Sequence, residues 1–239
     1  EHLECVGYAV KKVAHRVPVI AGTGANDTAH GIRLSTAAEK LGADALLQVT
    51  PYYNKASQRG LVKHFTAIAN SVKIPIILYN VPSRTGCNLT PATLAELAKH
   101  PNINAVKEAS GNMSQVVELF ARCGDKIDVY SGEDGLTVPM LAMGGMGTIS
   151  VLSNVIPKGA VEMTDAFFAG DLRKAAALQC RYLDLINLLF CEVNPIPVKY
   201  AMNVLGWNAG ECRLPLVEPS DEHKTKIEQA LVEAGLIKE

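Results

Sequence analysis

Apolar residues recur along this chain in two alternating rhythms. Leu3, Val6, Val10 and Val13 fall at helical spacing before Pro18, the pattern of a helix with one buried face. "PVIAGTG" (18–24) then reads as a short apolar strand ending in glycines. Asp27 or Thr28 is placed to cap a helix that carries Ile32, Ala37, Ala38 and Leu41, with Gly42 as its stop. The exchange repeats, with strands expected at "ADALLQVTPYY" (43–53), "IPIILYNVP" (74–82), "INAVKEAS" (103–110), "KIDVYSG" (126–132) and "GGMGTISVLS" (144–153). The helices between them show Leu61, Phe65, Ile68 and Val72 on one face, a start at Thr90-Pro91, a run over 113–123 and another through Leu136–Met143. The 74–82 run is continuously apolar, as expected of a strand covered on both faces.

From residue 157 the strand rhythm stops, and 157–169, 171–190, 197–205 and 221–235 all read as helices. The pattern divides the chain into a β/α part, 1–169, and a C-terminal helical domain, 170–239. Six β/α units in series predict a parallel sheet with right-handed crossovers. An open doubly wound sheet usually carries a phosphate loop, but "GTGAND" (22–27) has Asp27 where the third fingerprint glycine belongs. A closed barrel has eight strands. The count here is two short, and the chain opens inside a helix with Glu1 rather than an initiator methionine. The expected fold is therefore an α/β (β/α)8 TIM barrel lacking its first strand, first helix and second strand, about 50–60 residues, plus a C-terminal helical unit.

Composition narrows the function classes. Lys and Arg number 23 against 24 Asp and Glu, so no basic excess points to nucleic acid or an anionic membrane. There is no apolar run long enough to span a bilayer and no signal peptide. The six cysteines (Cys5, Cys87, Cys123, Cys180, Cys191, Cys212) form no C-x-x-C pair, so reduced, mostly packed thiols and a cytoplasmic location are expected. The six histidines show no metal-binding spacing, so no metal is expected, and no G-x-S-x-G elbow is present.

In parallel β/α folds the chemistry lies at the carboxyl ends of the strands. Here those ends are Gly22-Thr23-Gly24, Pro51-Tyr52-Tyr53, Tyr79-Asn80, Lys107-Glu108, Ser131-Gly132-Glu133 and Ile149-Ser150. Lys107 closes an otherwise apolar run. An amine desolvated at a barrel mouth has a lowered pKa and becomes nucleophilic, and its characteristic reaction is imine formation with a ketone or aldehyde. The proton transfers of that reaction need a nearby donor and acceptor, and a phenol serves. Tyr79, one strand away, is well placed. The competing reading makes Lys107 a rim residue paired with the adjacent Glu108, and the tyrosines packing residues with satisfied hydroxyls. The gathering of Lys107, Tyr79 and Tyr53 on neighbouring strand ends strengthens the imine reading. "GGMG" (144–147) has the glycine content of a phosphate loop but suits close packing of the last strand, and Lys199 in "NPIPVKY" is expected to be structural.

The ordered motifs "TPYYNKASQRGLVKHF" (50–65), "LYNVPSRTG" (78–86), "VKEASGN" (106–112), "YSGED" (130–134), "GGMGTISVLSNV" (144–155) and "NPIPVK" (194–199) resemble the dihydrodipicolinate (4-hydroxy-tetrahydrodipicolinate) synthase family of class I pyruvate aldolases. The resemblance implies a lyase of lysine and diaminopimelate biosynthesis, condensing pyruvate with L-aspartate-4-semialdehyde to give 4-hydroxy-tetrahydrodipicolinate. It implies that Lys107 forms the Schiff base with pyruvate, that Tyr79 donates and accepts protons, and that Tyr53 belongs to a relay reaching a neighbouring subunit. Arg84 in "PSRTG" would bind the carboxylate of the second substrate, as a guanidinium fork suits, and Gly132 and Ile149 would line the pocket through their backbones. No metal or organic cofactor is implied, and the partner is a second copy, in a homotetramer of two tight dimers. Arg84 also argues against the sister lyases acting on sialic acid or sugar-acid aldols, which typically lack it. His2, Asn26 and Tyr52 match positions of the family's inhibitory lysine site. His30, however, stands where inhibited members commonly carry a glutamate, so weak or absent inhibition is expected. The family's "GTTGE"-type threonine loop has no counterpart in the sequence. The chain is therefore expected to be either a fragment of a full enzyme or a truncated remnant that only binds or oligomerises.

Overall fold

The computed structural model describes residues 1–238. It divides into two compact units, Glu1–Gly132 with Met143–Met146, and Glu133–Ala142 with the chain from Gly147 onward.

The first unit alternates helix and strand: α1 (His2–Val13), β1 (Ile20–Gly22), α2 (Thr28–Lys40), β2 (Ala45–Val49), α3 (Gln58–Ala69), β3 (Ile76–Asn80), α4 (Pro82–Thr85), α5 (Pro91–Leu97), β4 (Ile103–Glu108), α6 (Met113–Cys123) and β5 (Asp128–Ser131). Strands β1 to β5 pair in sequence order, all parallel. That is the arrangement expected when each strand is returned by a crossover helix. Helices α2, α3, α5 and α6 start where their sequence provides an acceptor for the orphan N–H groups of the first turn. Asp27 accepts from His30 N at 2.7 Å, Asn112 from Gln115 N at 3.2 Å, and Thr90 from Thr93 N with Pro91 following it. Ile76, Ile77 and Leu78 of β3 are all buried, as its unbroken apolar run implies. Leu61, Phe65 and Ile68 of α3, and Val116 and Leu119 of α6, supply the facing helix surfaces.

The ladder between β3 and β4 is irregular. Ile76 pairs with Ile103 but Ile77 pairs with Ala105, so Asn104 is an extra residue on β4. This is a bulge. Beyond it Leu78 faces Val106, Tyr79 faces Lys107 and Asn80 faces Glu108.

The second unit contains α7 (Thr137–Ala142), β6 (Gly147–Thr148), α8 (Leu152–Val155), α9 (Pro157–Phe168), α10 (Leu172–Arg181), α11 (Leu183–Leu188), α12 (Ile196–Val204) and α13 (Asp221–Glu233). Leu152, Met163, Leu185, Ile186, Leu189, Ala201, Ile227 and Leu231 form its core. A buried carboxylate organises one end: Asp134 Oδ2 accepts from the N–H groups of Val151 and Leu152, both at 2.9 Å, at the start of α8. Gln179 donates to Asp134 O at 3.0 Å and accepts from Val138 N at 3.1 Å.

The structure differs from the sequence pattern in four places. The expected 144–153 strand is two residues long, because the Asp134 carboxylate draws Val151 and Leu152 into α8. The expected 171–190 helix breaks at Tyr182. The turn α4 has no counterpart in the pattern, and it starts where Pro82 has no N–H to give. The thiols are less packed than expected: Cys87 and Cys123 are buried, but Cys5 and Cys180 are exposed. Lys199 donates to Glu211 O at 2.6 Å, tying down the loop after α12. Among the described residues no helix is long and apolar enough to cross a membrane.

Leu78 has no exposed surface and precedes Tyr79 in β3, the most deeply covered strand of the unit. Leu78→Ala is expected to lower stability by about 2–5 kcal/mol through lost burial and a residual cavity, measured by urea unfolding.

Candidate active site

Lys107 and Tyr79 are register partners on adjacent parallel strands, so their side chains leave the sheet on the same face. The Lys107 amine lies 4.2 Å from the centroid of the Tyr79 ring. Both residues are half-buried. The ring covers one side of the amine and places the phenol's strand next to it, the proximity that proton transfer to and from a lysine adduct requires.

The neighbouring carboxylate is engaged elsewhere. Glu108 is 2% exposed, and strand alternation sends it to the opposite face of β4. Its Oε1 accepts from Ser110 N at 2.6 Å and its Oε2 from Asn80 Nδ2 at 3.0 Å. The competing rim pair of Lys107 with Glu108 is therefore replaced by a pair between Glu108 and Asn80.

Gly132, at the end of β5, explains how a lysine chain fits here. Its N–H donates to Glu108 O at 2.8 Å, which fixes its backbone beside β4. A Cβ built on Gly132 would stand 2.8 Å from Lys107 Cε, 2.9 Å from Lys107 Cγ and 2.8 Å from Ala109 Cβ. The aliphatic stem of Lys107 thus lies along the bare α-carbon of Gly132. The next residue, Glu133, has its carboxyl pushed above the ordinary range by burial, against a hydrogen bond from the Gly135 backbone and with the charge of Asp134 adding to the rise. Ile149 is half-buried in the second unit.

Arg84 sits exposed in α4, the turn that follows β3. That turn is anchored at both ends. Asn80 Oδ1 accepts from Leu89 N at 2.8 Å where the chain returns. Thr50 donates to Thr85 Oγ1 at 3.1 Å, and Thr85 donates to Cys87 O at 3.0 Å. A cationic side chain on a fixed turn beyond the strand end is suited to holding a carboxylate.

Tyr53 follows β2, the neighbour of β3 in the sheet, and 89% of its surface is exposed. It occupies the tip of a γ-turn, with φ at 73° and Asn54 N donating to Tyr52 O at 2.9 Å. Positive φ is costly for a bulky residue. The turn is held by Tyr53 N donating to Thr85 O at 3.2 Å, Asn54 Nδ2 to Asn26 O at 2.8 Å and Asn26 Nδ2 to Tyr52 O at 3.3 Å. Asn26 and Tyr52, two of the expected lysine-site residues, are thereby joined. The other two lie apart from this tie: His2 Nε2 is 2.8 Å from Gly22 O, and His30 Nδ1 is 3.2 Å from a guanidinium nitrogen of Arg33.

The polar residues behind the site escape the sequence pattern. Asn80 and Glu108 stand one position beyond Tyr79 and Lys107, and Asn88 and Gln115 extend the network through Asn88 Nδ2 to Gln115 Oε1 at 2.8 Å. Their one visible signal is a polar residue ending an apolar run on both strands. Among the described residues no group of three or more His, Cys, Asp or Glu side chains is placed to hold a metal ion.

Comparison with known proteins places this geometry in a family. Residues 1–234 match the model of the dihydrodipicolinate synthetase family. The 4-hydroxy-tetrahydrodipicolinate synthase of Geobacter sulfurreducens is 53% identical over 237 residues, 99% of this chain and 82% of that protein. That of Caldicellulosiruptor bescii is 51% identical over 236 residues, 99% of this chain and 80% of that protein. Among solved structures, the chloride-inhibited dihydrodipicolinate synthase from Acinetobacter baumannii complexed with pyruvate superimposes with a TM-score of 0.96 at 42% identity, covering 99% of this chain and 81% of that one. The parallel β/α fold is thus that of a (β/α)8 barrel enzyme with C-terminal helices, over about four-fifths of the relatives' length. The chain belongs to the dihydrodipicolinate synthetase family.

Proposed function

We propose that this chain condenses pyruvate with L-aspartate-4-semialdehyde through an imine on Lys107, releasing 4-hydroxy-tetrahydrodipicolinate for lysine and diaminopimelate biosynthesis. The observation that carries the reading is the register pair of Lys107 and Tyr79, with the amine 4.2 Å from the ring centroid. The relatives' names support the same reaction, and so favour it over a sialic-acid-type aldolase or a non-catalytic remnant.

The chemistry runs in balanced steps. The Lys107 amine adds to the ketone carbon of pyruvate; Tyr79 passes a proton to the carbinolamine oxygen, and water leaves as the imine forms. Loss of a methyl proton gives the enamine. Its terminal carbon attacks the aldehyde of the second substrate, whose carboxylate is held by the Arg84 guanidinium, and the new alkoxide takes up a proton. The substrate's own amine then displaces the Lys107 nitrogen at the imine carbon, closing the ring and restoring the lysine amine. One water is released overall, and no cofactor enters the balance. Tyr53 serves as the proton relay of a neighbouring copy in a homotetramer of tight dimers; its exposure and its strained, hydrogen-bonded turn support a role outside its own subunit.

Feedback inhibition by lysine is weak in this reading. Asn26 and Tyr52 are held together, but His30 brings no carboxylate for a lysine ammonium, and the Arg33 guanidinium beside it is a like charge.

Three outcomes are expected. Incubation with pyruvate and then borohydride reduction adds mass to the peptide containing Lys107 and to no other, and Lys107→Arg abolishes the adduct; a wild-type chain without an adduct refutes the imine mechanism. Gly132→Ala, by pushing the Lys107 stem off its seat, slows this trapping about 10- to 100-fold with an unchanged circular dichroism spectrum. Adding Ala109→Gly leaves the defect, because the conflict with Lys107 remains. Lysine titration of steady-state turnover shows little inhibition in the wild type and more in His30→Glu; strong wild-type inhibition contradicts the reading of His30.

A further inference from the structure

Asn80 has no exposed surface, and every polar atom of its side chain is used. Its Oδ1 accepts from Leu89 N at 2.8 Å, where the Arg84 turn returns to the body. Its Nδ2 donates to Asn88 Oδ1 and to Glu108 Oε2, each at 3.0 Å. Through Glu108 Oε1 the tie continues to Ser110 N at 2.6 Å. One amide therefore joins three things: the strand of Tyr79, the strand of Lys107 and the turn of Arg84.

We propose that Asn80, with Glu108 as its partner, is the positioning residue that holds Lys107 opposite Tyr79 and sets the Arg84 turn beside them. The inference rests on the imine reading for its catalytic meaning, but its structural claim stands on the register. Strands β3 and β4 change register at Asn104. The pairing that would continue from Ile76 and Ile103 without a bulge puts Tyr79 opposite Val106 and Asn80 opposite Lys107. A one-residue slip turns every later side chain to the other face. Backbone bonds alone are satisfied in either register. The Asn80–Glu108 bond exists only in the observed one, because only there do the amide and the carboxylate meet on the buried face. In the slipped register the two lie on opposite faces of the sheet, so the buried Asn80 amide loses the Glu108 carboxylate, a loss that a low-dielectric interior penalises.

The test exchanges the two groups in the full chain. Asn80→Asp removes the donor, Glu108→Gln removes the acceptor charge, and the double variant N80D/E108Q restores a donor–acceptor pair of reversed polarity at the wild-type net charge. The reciprocal amides of Asn88 and Gln115 can turn over together to suit it. Two rates are read. One is borohydride trapping of pyruvate on Lys107. The other is acylation of Lys107 by acetic anhydride relative to the exposed Lys63, which requires no pyruvate. Each single variant is expected to slow trapping about tenfold or more, lower kcat more than it raises KM, and change the Lys107 to Lys63 acylation ratio. The double variant recovers both rates. A merely stabilising role would lower the melting temperature and leave the acylation ratio of the folded protein unchanged. Wild-type rates in folded single variants, or a double variant no better than either single, overturn the proposal. If N80D does not fold, Asn80→Ala, which removes the amide donor without adding charge, is judged by the same two rates. A wild-type chain that never traps pyruvate refutes the imine reading alone; the acylation ratio still decides the positioning role.

Discussion

The extra residue on β4 is the constraint on which the site depends. Asn104 is exposed, and its insertion moves the rest of β4 by one position against β3. That shift faces the lysine with the tyrosine and the carboxylate with the asparagine. Neither pair would form in an unbroken ladder. The sheet thus places the Lys107–Tyr79 pair on one face and a fully hydrogen-bonded polar pair on the other, both from the same two strands. Bulges re-aim side chains at the cost of a local break in the ladder, and Ile76, Leu78, Ile103 and Val106 remain buried around this one.

Space is the second constraint. A lysine stem needs a slot, and here the slot is the missing side chain of Gly132. No unusual backbone angle calls for glycine at that position, since its φ is not among the positive values. The neighbouring atoms alone exclude a larger residue. This separates Gly132 from Gly86 and Gly111, whose positive φ angles of 67° and 72° demand glycine although a Cβ there would meet nothing within 4 Å. Sterics at β5 and hydrogen bonds behind β4 therefore act on the same residue from two sides, leaving Lys107 little freedom except at its amine.

The apolar rhythm suffices to locate every strand of the first unit, because a buried parallel strand needs an unbroken run of apolar residues and leaves it plain in the sequence. The strand ends, where Tyr79, Lys107 and Gly132 lie, are legible for the same reason. The bulge is not, since Asn104 looks like any polar residue near a strand start and register is a property of two strands together. The short turn carrying Arg84 and the helix begun at Leu152 escape the pattern because partners that hold them lie far along the chain: Thr50 for the first, Asp134 for the second. Glu108 looks like a partner for Lys107 because adjacency in sequence hides the alternation of faces in a strand.

Strain marks Tyr53, the remaining candidate residue. A tyrosine at φ 73° costs about 1–3 kcal/mol. In this chain three hydrogen bonds hold the turn, and they come from the loops at the ends of β1 and β3 rather than from the turn itself. Yet the ring so presented is 89% exposed and buries little of its own apolar surface. A turn that stored strain only to solvate an aromatic ring would be a net loss to the isolated chain. The arrangement is favourable when the ring gains contacts beyond its own chain, as the proposed relay to a neighbouring copy requires. The same loops that hold Tyr53 also fix Thr85, one residue from Arg84. A contact made at the Tyr53 turn would therefore reach, through the hydrogen bond from Tyr53 N to Thr85 O, the turn that carries Arg84.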